Sequence, residues 1–480
     1  SAAVLFHHLF AEAGADLICS EIGENIPSIP LMLALNRGVA RAYGRPWLVD
    51  FSTWWSPAGC LGEQVSPREG HTPWCLFTGL LQAAMSGADY AQLEVDWAAF
   101  DKDYNPLPWG RAMQTLHSLN RALGPRGEPE TPLAVLIGHE NGWPGVGWHI
   151  GDVRGTGLYD PMRHRFMQTR EADLSMKILG VMYPGFERTG WDPEYPGFLT
   201  ESPLGTLDMV PDNLPAEKYD RYRVLIALGY HRFTDELAQC LRQYVERGGI
   251  LICGDDLFLD EEERWIDPQI AEPLIGCLPC FDEAALVKTV NPVGNVHAIE
   301  GIAEAGERQE WESHWLHRVR LTSGAVVGEL NDDPYLIENR LGKGQCYFIT
   351  ALHLVGSDSK RRGHEPFLYA YTLRHFLHQV GRSLGDGVSF APWTGLQHVY
   401  NTRRDGSGLL LVMNHGDMNY RRDAVLQNDR QYVSARVVAE GNWEGWRPGG
   451  NVELSKGNGP LRWSFVIPPK GFLICEFQPR

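Results

Sequence analysis

The chain has 480 residues, 43% of them hydrophobic and 21% charged, and carries a net charge of -17 from 43 basic and 60 acidic side chains. This is the balance of an ordinary soluble globular protein. It argues against nucleic acid as a partner, because no Lys/Arg run exceeds a few residues, and against a membrane partner, because no apolar stretch reaches the roughly 18 residues of a span.

The opening "SAAVLFHHLF" lacks the charged start of a signal peptide. A soluble protein is expected, and a secreted or periplasmic compartment fits as well as any other. "FHHLFAEAG" reads as a helix tail and "ADLICSE" as a buried strand. "IPLMLALNRGVARAYG" is an amphipathic helix ended by Gly44, and "RPWLVDF" is the next strand. A loop rich in Trp, Gly and Pro covers 52–72. The helix "PWCLFTGLLQAAMSG", the strand "DYAQLEV" and the helix "PWGRAMQTLHSLNRALG" follow. Alternating strands and helices indicate βα units on a parallel sheet, whose strands are expected to be buried on both faces.

A second α/β segment runs on from "TPLAVLIG" through "RYRVLIALG", "TDELAQCLRQYVERGG" and "ILICGDD" to "LGKGQCYFITALHL" and the helix "EPFLYAYTLRHFLHQVG". After about residue 388 the strands are short, among them "GLLLVMNHG", "SARVVAEG", "WSFVIPP" and "GFLICEF", with Gly, Pro, Asn and Asp between them. This predicts an antiparallel β domain. Three domains are expected, over 1–125, 126–385 and 386–480.

The chemistry is expected in the first segment. Parallel sheets carry their sites at strand C-termini, and here three successive runs end in Glu21, Asp50 and Glu94. Glycoside hydrolysis needs one carboxyl to protonate the leaving oxygen and another to attack or to activate water. Glu21 and Glu94 are the first candidates for that work, with Asp50 and Glu24 as second choices. Trp54 and Trp55 follow a strand end and offer faces for sugar stacking. Trp97 and His71 are further substrate-binding candidates. His71 and His8 could also orient a carboxylate, although a structural role is the commoner one for each. Cys253 lacks the residues around it that a nucleophile elbow needs. The C-x2-C pair Cys277 and Cys280 lacks the further ligands of a zinc site, and the nine cysteines are expected to be reduced. No metal and no organic cofactor is implied.

Three stretches carry a resemblance. "TPLAVLIGHENGW", "YDRYRVLIALGYHRFTDELAQCLRQYVERGGILICGDD" and "PYLIENRLGKGQCYFITALHL" look like the entry, centre and closing hairpin of a β-galactosidase trimerisation-type domain. That domain has an amidotransferase-like α/β fold. The layout resembles glycoside hydrolases in which a (β/α)8 barrel precedes this domain and a small antiparallel β-sandwich follows it. The resemblance covers about 120–480 well and 1–120 loosely. It implies a non-catalytic second domain, a carbohydrate substrate and a homo-oligomer.

A complete barrel needs eight βα units, and only about three precede residue 125. They correspond to the last three, so the fold class expected is the C-terminal part of a (β/α)8 barrel joined to the other two domains. In such barrels the acid/base comes from the fourth strand as an Asn-Glu pair, and none precedes the second domain here. The nucleophile comes from the seventh strand, where "RPWLVDF" offers Asp50. A companion chain or removed segment is therefore expected to complete the barrel. Two other readings compete with a hydrolase. One is a carbohydrate-binding protein with a decayed barrel. The other is another enzyme on the same α/β architecture, such as an amidotransferase relative or a polysaccharide lyase, the lyase drawing on Arg68, His71 and Tyr90.

Overall fold

The computed structural model describes residues 7–22, 29–51, 72–94, 99–139, 182–183, 202, 204–229, 231–258, 266–289, 312–330, 332–351, 370–391, 396–416, 418–426, 432–455 and 460–480. Strands β1 (Ile18–Ile22), β2 (Trp47–Phe51) and β3 (Tyr90–Leu93) form a parallel sheet in that order. Helices α1 (His7–Glu12), α2 (Ile29–Tyr43), α3 (Pro73–Met85) and α4 (Pro108–Leu123) accompany them. α3 starts where Thr72 Oγ1 accepts from the Cys75 amide and Pro73 presets the first turn.

Burial of this sheet differs from the expectation. β1 and β2 alternate buried and half-buried residues. Ile18, Ile22, Trp47, Val49 and Phe51 join the core with α2 and α3. Cys19, Glu21, Leu48 and Asp50 stand on the other face and are only half-buried. On β3, Tyr90 is 65% exposed. Among the described residues, three strands supply no opposite wall to cover that inner face.

The second sheet combines β5 (Leu133–Ile137), β6 (Asp208–Pro211), β7 (Val224–Ala227), β8 (Ile250–Cys253), β11 (Ala325–Leu330), β12 (Asp333–Leu341) and β13 (Gly344–Ile349). The order β6-β5-β7-β8-β13 is parallel, and β12 and β11 are added antiparallel. The order reverses once between β5 and β7, the doubly wound pattern. Every residue of β5, β6 and β7 is buried. α5 (Asp235–Arg247) is capped by Thr234, whose side chain accepts from the Leu237 amide. It ends at Gly248, whose φ of 122° turns the chain toward β8. α6 (Pro268–Ile275) leads into the antiparallel pair β9 (Cys277–Thr289) and β10 (Glu312–Leu321). α7 spans Ala370–Leu384.

The C-terminal part is an antiparallel sandwich. β14 (Val388–Ala391), β17 (Tyr420–Leu426) and β21 (Leu461–Ile467) make one sheet. The other is built on β15 (Leu396–Thr402), β16 (Gly408–Asn414), β18 (Tyr432–Asn442) and β22 (Gly471–Pro479). Leu410, Val412, Trp463, Phe465 and Phe477 fill the space between them. The short β4 (Glu128–Pro129) pairs with β15 and so joins this second sheet, far from it in sequence.

The parts are tied by specific contacts. Arg37 and Arg41 of α2 reach the buried Asp208 of β6 at 2.6 and 2.8 Å, and the Tyr222 hydroxyl donates to the same carboxylate. Burial alone would push the Asp208 carboxyl up, but the two guanidinium groups hold it at about 2. Gly38 lets α2 lie directly on this strand, since a Cβ there would come within 2.0 Å of the Met209 carbonyl oxygen. Phe77 of α3 meets Phe472 of β22, with ring centroids 5.3 Å apart.

The expectation of reduced cysteines needs one correction. Cys75 is disulfide-bonded, while Cys253, Cys277 and Cys346 are buried free thiols. Among the described residues no helix is long and apolar enough to cross a membrane.

Candidate active site

Parallel register fixes which side chains meet. Glu21 of β1 is the partner of Asp50 of β2, and Asp50 is in turn the partner of Gln92 of β3. Glu94 follows β3 directly, where its amide donates to the Phe51 carbonyl at 3.1 Å. Successive residues of a strand alternate faces, so Glu21, Asp50, Gln92 and Glu94 share the inner face at the C-terminal rim. Adjacent strands lie about 4.8 Å apart, which places Asp50 about that far from Glu21 along the backbone. The two glutamates flank it at roughly twice that separation from each other.

The acids differ in environment. Glu94 is exposed, and Glu21 and Asp50 are half-buried. Asp50 Oδ1 is shielded from solvent and has no hydrogen-bond partner among the described residues. Burial raises the Asp50 carboxyl above its ordinary value, and the neighbouring Glu94 charge raises it further. The Cys19 thiol, on the same face of β1, is also pushed up, first by burial and also by the charges of Asp50 and Glu21. A carboxyl that keeps its proton beside one that loses it is the pairing that acid-base hydrolysis uses.

Three of the four acids proposed from sequence therefore come together. Glu24, Trp54, Trp55, His71 and Trp97 lie outside the described residues, as does Arg68. His8 is fully buried, with Nε2 2.7 Å from the His139 carbonyl oxygen, which fits a structural histidine. Tyr90 sits at the start of β3, opposite Leu48, about 13 Å along the strand from Glu94. Cys253 is wholly buried and its thiol is pushed well up by that burial. Gln92 was missed by sequence reasoning. The spacing Tyr90, Gln92, Glu94 is the period-two signal that would have placed it beside the acids.

Residues 206–361 match the family described as the beta-galactosidase trimerisation domain. Among solved structures, the chain is similar to a catalytic mutant of a GH42 beta-galactosidase from G. stearothermophilus, at 14% identity and a TM-score of 0.54, covering 98% of this chain and 61% of that one. It is similar to a beta-galactosidase from Rahnella sp. R3, at 13% identity and a TM-score of 0.56, with 98% and 61% covered. It is also similar to an alpha-L-fucosidase from Paenibacillus thiaminolyticus, at 11% identity and a TM-score of 0.53, with 93% and 62% covered. No curated protein matches the sequence. The chain thus spans about three-fifths of the length of these solved glycosidases and shares their fold over that part; its own elements are a partial barrel of three strands, an α/β region and a β-sandwich.

Proposed function

We propose that the chain acts as a glycoside hydrolase on an oligo- or polysaccharide, using paired carboxylates on the inner face of β1–β3. The observation that carries this reading is the row Glu21, Asp50, Glu94 on three neighbouring strand ends. Asp50, whose carboxyl is pushed up by burial and by the Glu94 charge, is assigned as the donor to the leaving oxygen, and a flanking glutamate attacks or activates water. Glu24 assists, and Trp54, Trp55, Trp97 and His71 hold the sugar. The similarity to a beta-galactosidase and an alpha-L-fucosidase suggests a galactoside or a fucoside as substrate. No cofactor takes part.

We divide the chain at about residues 125 and 385, in line with the change of sheet. Residues 206–361 mediate a homo-oligomer, a reading supported by the family description. A further segment or chain covers the inner face that leaves Tyr90 65% exposed. The same open face favours a second reading, a carbohydrate-binding chain without catalysis. The lyase reading is weaker, since Tyr90 lies at the far end of β3 from the acids.

Hydrolysis of aryl β-galactosides and α-L-fucosides, with wild type beside Glu21→Gln, Asp50→Asn and Glu94→Gln, tests the proposal. Cleavage by wild type that collapses in the variants supports it. Sugar binding that survives all three substitutions, with no cleavage by wild type, supports the second reading instead.

A further inference from the structure

A second cleft, about 1040 Å³ in volume, lies where the end of α4 and β4 meet the C-terminal sandwich. This is on the scale of sites that enclose small molecules. Its floor is rigidly built. Glu476, 6% exposed, accepts from both Arg403 and Arg436. Arg403 also donates to the carbonyls of Leu123 and Pro125, which close α4. Trp446 lines one wall, and its indole N–H is fixed on Ser118 Oγ at 2.8 Å.

Arg126 lines the cleft as well, and its charge is unanswered. It is half-buried, its guanidinium donates to the neutral amide oxygen of Asn120 at 3.1 Å, and among the described residues no carboxylate pairs with it. Burial holds the Arg126 guanidinium below its ordinary value. A cation drawn out of water without a counter-ion is unfavourable, so the site favours an anion. The cleft is lined by four arginines, Arg126, Arg403, Arg404 and Arg436, against the three acids Glu128, Asp405 and Glu476, a balance of +1 within a chain whose net charge is -17.

We propose that this cleft binds a sugar unit carrying a carboxylate, the carboxylate on Arg126 and the ring against Trp446. The planar fork of arginine matches a carboxylate, and an indole face suits the C–H face of a sugar ring. The anionic part rests on the charge of the cleft. The choice of a sugar over other carboxylates rests on the glycosidase reading. The site is distinct from the acidic rim of β1–β3, which would repel such a ligand.

Calorimetric titration of the full chain with D-galacturonate, galactose, acetate and phosphate tests the proposal. Galacturonate is expected to bind in the millimolar range, and galactose, acetate and phosphate about ten-fold more weakly or worse. Arg126→Gln should weaken galacturonate by about ten-fold or more, the loss of a charge-assisted pair, and leave aryl glycoside hydrolysis unchanged. Trp446→Ala is the second variant and should weaken galacturonate without creating affinity for galactose. Absence of galacturonate binding, unchanged affinity in both variants, or acetate binding as well as galacturonate each overturns the proposal. A wild type that cleaves no glycoside yet binds galacturonate through Arg126 removes the glycosidase reading and keeps the site. Cleavage without galacturonate binding does the reverse.

Discussion

Two carboxylates on neighbouring sheets show what each sheet is for. Asp208, on the seven-stranded sheet, is wholly buried and is matched by Arg37 and Arg41, which hold it ionised at about 2. Asp50, on the three-stranded sheet, is half-buried and is pushed up by burial and by Glu94. A sheet buried on both faces can keep a carboxylate only with counter-ions, and a carboxylate so matched has no proton to give. A sheet with one open face can keep a carboxylate beside other carboxylates. The same βα pattern thus yields a tie between elements in one place and, in the proposed reading, the candidate acid in the other.

The sharpest break of this comparison is in rate. Asp50→Asn should lower glycoside hydrolysis by about 10²–10⁴-fold, the usual contribution of a general acid, with little change in melting temperature. Initial rates on the best aryl glycoside measure it, and a loss of only a few-fold would make Asp50 a bystander.

Next comes stability. Asp208→Asn leaves the buried Arg37 and the half-buried Arg41 without their carboxylate and should cost about 3–5 kcal/mol in urea unfolding, with no direct effect on the chemistry. Packing should show the same asymmetry. Leu225→Ala, on the fully buried β7, should cost about 2–5 kcal/mol. Leu48→Ala, on the half-open face of β2, should cost about 1 kcal/mol or less. Equal losses would contradict the open face.

The buried side of the first sheet can be read through pH. His7 of α1 sits 2.6 Å from Ser20 Oγ of β1, and burial, aided by the charge of His8, lowers its pKa from 6.5 to about 3. Well above pH 6.5 neither the folded nor the unfolded histidine carries a proton, and stability is at its full value. As pH falls below that, the unfolded chain takes a proton that the folded one refuses, so stability drops by up to about 1.4 kcal/mol per pH unit. His7→Gln should flatten that slope in thermal melts between pH 6.5 and 4, by about one histidine's worth. The smallest effect is a titration. Glu94→Gln should lower the Asp50 carboxyl pKa, read by carboxyl-carbon NMR, and no movement would detach the two acids.

Much of this was legible in the sequence for physical reasons. Apolar runs that stop at Glu21, Asp50 and Glu94, punctuated by Thr72, Pro73, Gly44 and Gly248, mark strand ends and helix limits directly. The open face of β1 and β2 was not legible. Cys19 and Leu48 look as core-forming as Val49, yet among the described residues nothing covers their face and they stay half-exposed. The strand pair β9 and β10 was also missed, because "CLPCFDEAALVKT" mixes charges and a proline into its run. β6, "DMVP", is too short and too polar at its start to announce a strand. The position of Asp50 between Glu21 and Gln92, with Glu94 two residues further along β3, follows from register, which pairs residues 29 and 42 positions apart. No local pattern encodes that pairing.

One helix has consequences for how the molecule can be taken apart. α2 belongs by sequence to the first sheet, yet Gly38 presses it against β6 and two of its arginines neutralise Asp208. A fragment starting near residue 126 would keep Asp208 and lose both cations, and would expose the strand that α2 covers. The reciprocal fragment would carry two arginines built for a carboxylate it no longer has. Shuffling of these segments between genes, or their separate expression, would require α2 to travel with β6, so the inherited unit is larger than either sheet.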